Sequence, residues 1–475
     1  MRIFRLVKLF AISLILLIAL ALLSIPASII CKPDDLLAVN NGADMVLKNG
    51  NLVDVETGVV VSGQYIYLSN GRIVSIGSEL PENADSVSIV DVNNAYILPG
   101  LFDMHVHVHD RKYLAMYLAY GVTSVRNMRG NVAHLRWKQE LNAGQWLGSN
   151  LFTSSPVLDG PLHAHALQKV VTSAEAARQL VKQYKSEGYD LIKAYGYLEP
   201  DIYTAIVDEA FRLNFPVAKH GPQAILGLDL ISNAGLQSLE HVEDIFQGPL
   251  NYSLDEAKMV GWVRELRYLK PRITPTLATF HHLTELSIRK QDYVETIPLN
   301  TLNPLYRLLH QQLEVKRWLQ ASPELANWNK QEEAFLLKIV NELNKQGIEL
   351  LLGSDAGTLF LTPGESTHLE IALLLKAGVP PLKVLQAGTI NAARALGVEH
   401  EFGSITAGKV ADLIVVKANP LTDMQTLMMP IAVIKKGQWI GESEIAMLKQ
   451  SAQQPANLYL SFGQLLEDLG SRALD

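Results

Sequence analysis

One cysteine in 475 residues, Cys31, excludes an internal disulfide and excludes a zinc site built from thiolates. Any metal must then be held by His, Asp, Glu or a modified side chain. A basic surplus is missing too. Lys and Arg number 41 against 48 Asp and Glu, a formal net charge of -7, and no Lys/Arg run interrupts that balance, so there is no electrostatic footprint for nucleic acid. Charged residues make up only 19% of the chain and hydrophobic ones 48%, too apolar a mixture for a disordered protein. The length suits one large domain with a smaller companion, or two to three domains.

Charge is absent altogether from Leu9 to Cys31, behind Arg2, Arg5 and Lys8. Residues 1–35 therefore read as a signal or anchor segment, to be set apart from the fold. The apolar run exceeds the roughly 7–15 residues of a signal core and approaches the roughly 20 that span a bilayer. Its only Ala-x-Ala, Ala19-Leu20-Ala21, lies inside the run. The expectation is an exported chain, either anchored by this helix with its catalytic part outside the cytoplasm or periplasmic or secreted after cleavage. A lipoprotein cleaved at Cys31 is disfavoured by Ile30, where a small residue belongs.

From residue 43 to 97 short β-rich runs alternate with turn residues, and Asn-Gly occurs twice, at Asn49-Gly50 and Asn70-Gly71, as a hairpin signal. The same texture returns at 402–442. Both flanks together predict a small composite β-sandwich. Between them, over 98–397, apolar strands alternate with helical stretches: "LFDMHVHV", "VTSVRN", "NLFTSS", "LIKAYG", "FPVAKH", "QSLEH", "RITPTL" and "IELLLGSD". Eight such strands predict an α/β fold, a (β/α)8 TIM barrel. Helical spacing at about 279–346 marks an inserted excursion after the seventh strand, and 443–475 is a polar, partly helical tail.

In "LFDMHVHVHD" the histidines at 105, 107 and 109 fall at every second position, so a strand would turn all three to one side. The residues between them, Met104, Val106 and Val108, belong in a core rather than at a solvent face. Imidazole is the commonest protein ligand for zinc. Barrel sites form at the C-terminal strand ends, and further strands end in metal-competent groups: Lys193 on the fourth, His220 on the fifth, His241 on the sixth and Asp355 on the eighth. Each alone reads more simply as a core histidine, a solvent-reaching lysine or a helix cap. Five strand ends together do not.

"ILPGLFDMHVH", "GVTSVRNM", "DLIKAYG", "VAKHG", "SLEHVED", "LLGSDAGT", "HLEIALLLKAGVPPLKVLQAGTINAARALG" and "GSITAGKVADLIVVKANPLTD" resemble the amidohydrolase superfamily in its binuclear-metal form. The resemblance runs from about Ala43 to Gly441 and is nearest to the imidazolonepropionase-like branch with its metal-dependent dipeptidases. It implies that His105, His107 and Asp355 hold the more buried of two divalent metal ions and that His220 and His241 hold the other. Lys193 would be carbamylated by carbon dioxide and bridge them. Zinc suits such ligands best, with manganese, iron and cobalt as alternatives. The resemblance also implies a hydroxide held between the metals as nucleophile, with Asp355 as general base and then acid, in the hydrolysis of an amide of a small molecule or dipeptide of the Xaa-Pro kind.

His163 and His165 fall where this branch places a substrate-contacting histidine, and Tyr195, two residues beyond Lys193, should share the lysine's side of its strand and line the pocket. Arg126 is expected in a structural ion pair, although the family more often carries Asp where Asn127 stands. His109 is given no ligand role, His368 is expected to order a loop, and His281 and His282 read as ordinary surface or loop residues. Three other readings stay open. One is hydrolysis of a cyclic amide. Another is deamination of an amino-heterocycle, against which stand Lys193 and "HGPQ", with Gln223 where a deaminase has Glu. The third is a membrane-tethered binding protein that has kept the barrel and lost catalysis.

Overall fold

The computed structural model describes residues 19–33, 36–39, 44–81, 87–162, 164, 167–221 and 236–474. His163, His165, Gln223 and residues 9–18 of the charge-free N-terminal run lie outside them. Among the described residues no helix is long and apolar enough to cross a membrane.

The flanks build one sheet. From the N-terminal side come β1 (Met45–Val53), β2 (Val60–Ser69), β3 (Arg72–Gly77), β4 (Ser88–Asp91) and β5 (Tyr96–Pro99). After the barrel strands β6 to β14, the C-terminal side adds β15 (Leu413–Val416), β16 (Ala432–Lys435) and β17 (Gln438–Gly441). The order is β17-β16-β15-β5-β1-β2-β3, with β4 beside β1. The two ends of the chain meet where β15 runs antiparallel to β5, from Leu413 opposite Pro99 to Val416 opposite Tyr96. Leu47, Ile66, Ile97, Leu413 and Ile434 fill the core of this domain.

Of Asn49-Gly50 and Asn70-Gly71, only the second turns a hairpin. Asn70 and Gly71, both at positive φ, join β2 to β3, which is the geometry a tight two-residue loop demands. Asn49-Gly50 instead lies inside β1, where the register against β2 shifts on both sides of Gly50. It is a bulge. A Cβ on Gly50 would sit 2.6 Å from Ile97 Cδ1, so close packing accounts for the glycine there.

The middle of the chain is the barrel. Its strands are β6 (Leu101–Val106), β7 (Val122–Asn127), β8 (Asn150–Asp159), β10 (Leu191–Ala194), β11 (Val217–Lys219), β12 (Ser238–Glu240), β13 (Arg272–Thr274) and β14 (Glu349–Leu350), with the short β9 (Lys169–Val170) beside β8. Neighbours pair in parallel throughout. The chain just after β14 closes the circle on β6: Met104 N donates to Leu352 O at 2.7 Å, and Asp355 N donates to His105 O at 2.7 Å. Gly353 permits this approach, since a Cβ there would meet Thr274 Cγ2 at 2.3 Å and His105 N at 3.0 Å.

Helices cover the outside by the expected rule. Ala174–Glu187 is capped by Ser173, ends at Gly188 with φ of 99°, and buries Ala177, Leu180, Val181 and Tyr184, one stripe at helical spacing. The excursion between β13 and β14 is helical, chiefly Leu277–Arg289 and Pro323–Lys345. After β17 the tail forms two helices, Glu442–Ala452 and Leu458–Leu474. The second is tied to the barrel: Ser461 accepts from Asn303, and Arg136 pairs with Glu467 at 2.7 Å.

Candidate metal centre

Five strand ends converge at the C-terminal mouth of the barrel. A path of ring contacts links the imidazoles, with centroids 5.6 Å apart for His105 and His107, 4.6 Å for His105 and His241, and 4.3 Å for His241 and His220. Potential ligand atoms of His105, His107 and Asp355 lie within 4.8 Å of one another, and His107 Nε2 is 3.0 Å from Asp355 Oδ1. His241 and Asp355 both adopt positive φ, 65° and 59°. Neither is glycine, so the backbone is strained where two of the candidate ligands leave their strands, a pattern common at functional sites.

The hydrogen bonds around the imidazoles determine which nitrogen is free. Glu240 is a carboxylate and can only accept, so His105 Nδ1, 2.6 Å from Glu240 Oε2, carries the proton and leaves Nε2 with its lone pair. Thr276 donates its hydroxyl proton to Pro275 O at 2.8 Å and so accepts from His241 Nδ1 at 2.7 Å. His241 Nε2 is free in turn. His220 Nδ1 lies 3.3 Å from Asp244 Oδ2, while that same oxygen accepts from Gly221 N at 2.6 Å. Outer groups that orient imidazoles in this way are the usual support of a metal site.

Among the described residues, two buried nitrogens in the cluster, Lys193 Nζ and His220 Nδ1, have no hydrogen-bond partner, and Asp355 Oδ1 has only the His107 Nε2 contact at 3.0 Å. Burying such atoms unpaired is costly. A divalent cation among them would remove the deficit, and the neutral imidazoles, the carboxylate and the amine form a suitable donor set. Burial drives His105, His107 and His241 below the ordinary imidazole range, which keeps them neutral. Burial also lowers Lys193, to about 8. For Asp355 burial acts upward, but the His107 hydrogen bond and the neighbouring imidazoles outweigh it and hold the carboxyl at about 2.

Tyr195 lines this mouth. Its ring is 5.6 Å from Lys193 Nζ and meets the His220 ring edge-on at 4.8 Å. His109 stands apart: its Nε2 bonds Gly357 O at 2.9 Å and its ring stacks on Tyr306 at 3.7 Å. His368 Nε2 reaches Tyr120 O at 2.9 Å and bridges two helices. Arg126 is fully buried and pairs with Glu240 Oε1 at 2.7 Å. Asn127 takes no part in that pair; it accepts from Val108 N and donates to Thr153.

His281 and His282 are not the surface or loop residues that the sequence suggested. Both sit on the Leu277–Arg289 helix, where His282 is buried 3.1 Å from the Tyr293 hydroxyl and His281 meets Glu333 at 2.9 Å. Several supporting residues escaped the sequence reading. Glu240 and Asp244 flank His241 in "SLEHVED", and carboxylates beside a candidate ligand were the available signal. Thr279 donates to Asp355 Oδ2 at 3.1 Å. Glu370, pushed up to about 8 by burial, accepts from Ala278 N at 2.7 Å and so anchors the helix that carries Thr279. No local pattern announces either of these last two.

Residues 96–440 match the model of the Amidohydrolase family. The chain belongs to the amidohydrolase family. Its sequence relatives include adenine deaminases. That of Ruegeria sp. (strain TM1040) is 22% identical over 84% of this chain and 58% of its own length; that of Listeria monocytogenes serotype 4b (strain F2365) is 24% identical over 88% and 62%. The chain spans about three fifths of the length of these relatives. Among solved structures, a bottromycin amidohydrolase superposes with a TM-score of 0.71 at 23% identity, covering 91% of this chain and 93% of that one. A Xaa-Pro dipeptidase with methionine bound in its active site gives 0.65 at 20% identity, over 84% and 100%. At such identities these likenesses establish the barrel and its companion domain.

Proposed function

We propose that this amidohydrolase cleaves the amide of a dipeptide, of the Xaa-Pro kind or a related small amide, with two divalent cations held by His105, His107, Asp355, His220, His241 and a carbamylated Lys193. The observation that carries the reading is the buried Lys193 amine, without a hydrogen-bond partner among the described residues and set among imidazoles and a carboxylate. An ammonium is repelled by dications, whereas its carbamate offers each an anionic oxygen. Zinc fits the donor set best. Bound there, the cations supply a water acidic enough to attack at neutral pH and polarise the scissile carbonyl. Asp355, ionised at neutral pH, accepts the proton of the attacking water and returns it to the departing amine. Thr279 and His107 hold that carboxylate in place. Tyr195 lines the space for the substrate.

A second reading is favoured by the sequence relatives, which are named as adenine deaminases. The two differ in product. On a panel of dipeptides, cyclic amides and aminopurines, the metal-loaded enzyme is expected to release free amino acids from dipeptides. Ammonia from an aminopurine, with no dipeptide turnover, would move deamination to first place; ring opening alone would favour the cyclic-amide reading. Metal binding without any turnover would favour a binding role.

The charge-free run from Leu9 to Cys31 supports export, with the segment either kept as an anchor or removed. N-terminal sequencing of the mature protein distinguishes the two, and an intact segment in a cytosolic fraction would rule out both.

A further inference from the structure

The cavity beside the metal centre contains a cation that the described chain leaves without an anion. Arg129 follows β7 by two residues and lines the same cavity as His107, His109, Tyr306 and Gln464. Its guanidinium carbon stands 6.0 Å from the centroid of the Tyr306 ring. Tyr306 is a firm platform: its ring is stacked on His109 with an interplanar angle of 9°, and His109 is pinned to Gly357 O. The cation therefore sits on a fixed aromatic base.

Among the described residues no carboxylate lies within ion-pair distance of Arg129. Nearby acids have other partners. Asp355 is held by His107 and Thr279, Asp468 by Arg472, and Asp159 by the N–H groups of Gly160 and Tyr197. Arg129 is half-buried, so its guanidinium is not sealed from a ligand that enters the cavity. A catalytic cavity that keeps a guanidinium gains where the substrate supplies the charge, and the planar fork of donors matches a carboxylate.

We propose that Arg129 receives a carboxylate of the substrate, so that the enzyme selects small amides bearing a free carboxylate over neutral amides and uncharged heterocycles. The inference rests on the amide-hydrolase reading above and deepens it. The α-carboxylate of a dipeptide is such a group; a purine has none. The residues that line this cavity come from three distant parts of the chain: the loop after β7, the helical excursion and, through Gln464, the C-terminal tail. Substrate choice is thus built where the barrel strands are not.

The test compares a Leu-Pro dipeptide with its C-terminal carboxamide, on metal-loaded full-length enzyme and on the Arg129→Met and Arg129→Lys variants. The wild type is expected to favour the carboxylate in kcat/KM by about tenfold to a hundredfold, as a charge-assisted pair implies. Arg129→Met should bring the ratio close to one, and Arg129→Lys should restore part of it. An unchanged ratio in Arg129→Met, or no preference in the wild type, would overturn the proposal. The same two compounds are also titrated calorimetrically into metal-loaded Asp355→Asn, with and without Arg129→Met. Carboxylate-selective binding that needs Arg129, in an enzyme that hydrolyses neither compound, would uphold the anion site and overturn the hydrolysis reading. Equal binding of both compounds would overturn the anion site.

Discussion

Replacing Asp355 by Asn is expected to lower kcat/KM by about three orders of magnitude, within the range that general acid–base groups contribute. The argument starts from the backbone. Asp355 has φ of 59°, and Asn tolerates the left-handed region better than other side chains apart from glycine. The substitution therefore keeps both shape and fold while deleting the charge. With it goes the anion that faces His107 Nε2 at 3.0 Å and accepts from Thr279. The amide cannot accept a proton in the neutral range, so both acid–base duties lapse. Steady-state kinetics on the substrate found in the panel, beside a denaturation curve matching the wild type, checks this. Activity within tenfold of the wild type would remove Asp355 from the chemistry.

Glu240→Gln carries the second large effect. Arg126 is entirely buried, and Glu240 neutralises it while holding His105 Nδ1. Removing one partner of a buried ion pair leaves a charge in low dielectric and typically costs about 3–5 kcal/mol. The urea midpoint of Glu240→Gln should fall accordingly. Because the carboxylate also sets the His105 tautomer, metal affinity should fall about 10- to 100-fold, as for other outer-sphere carboxylates. In Arg126→Met/Glu240→Gln the double variant should lose less stability than the sum of the single losses. Additive losses would mean that the two residues do not act as a pair.

The barrel was legible because its strands are short apolar runs with chemistry at their ends, and "LFDMHVHVHD" shows the period of two outright. The same feature made His105, His107, Lys193, His220, His241 and Asp355 stand out as candidates one strand at a time, and the fold brings them to one mouth. Asn49-Gly50 misled because a bulge and a hairpin share a dipeptide, and only the packing of Ile97 against Gly50 separates them. His281 and His282 misled because burial on a long excursion has no local signature. Thr279 and Glu370 were silent for a related reason. They reach the centre from segments remote in sequence, and their roles exist only after the chain has folded around the barrel mouth.

The central claim is a bridged pair of cations, and the most direct measurement is metal content per chain in protein purified with bicarbonate, for the wild type and Lys193→Ala, beside the native intact mass. The account predicts about two metals per wild-type chain, an added carbon dioxide on the wild type alone, and loss of a metal in the variant. A single metal per chain, unaffected by the substitution, would contradict it.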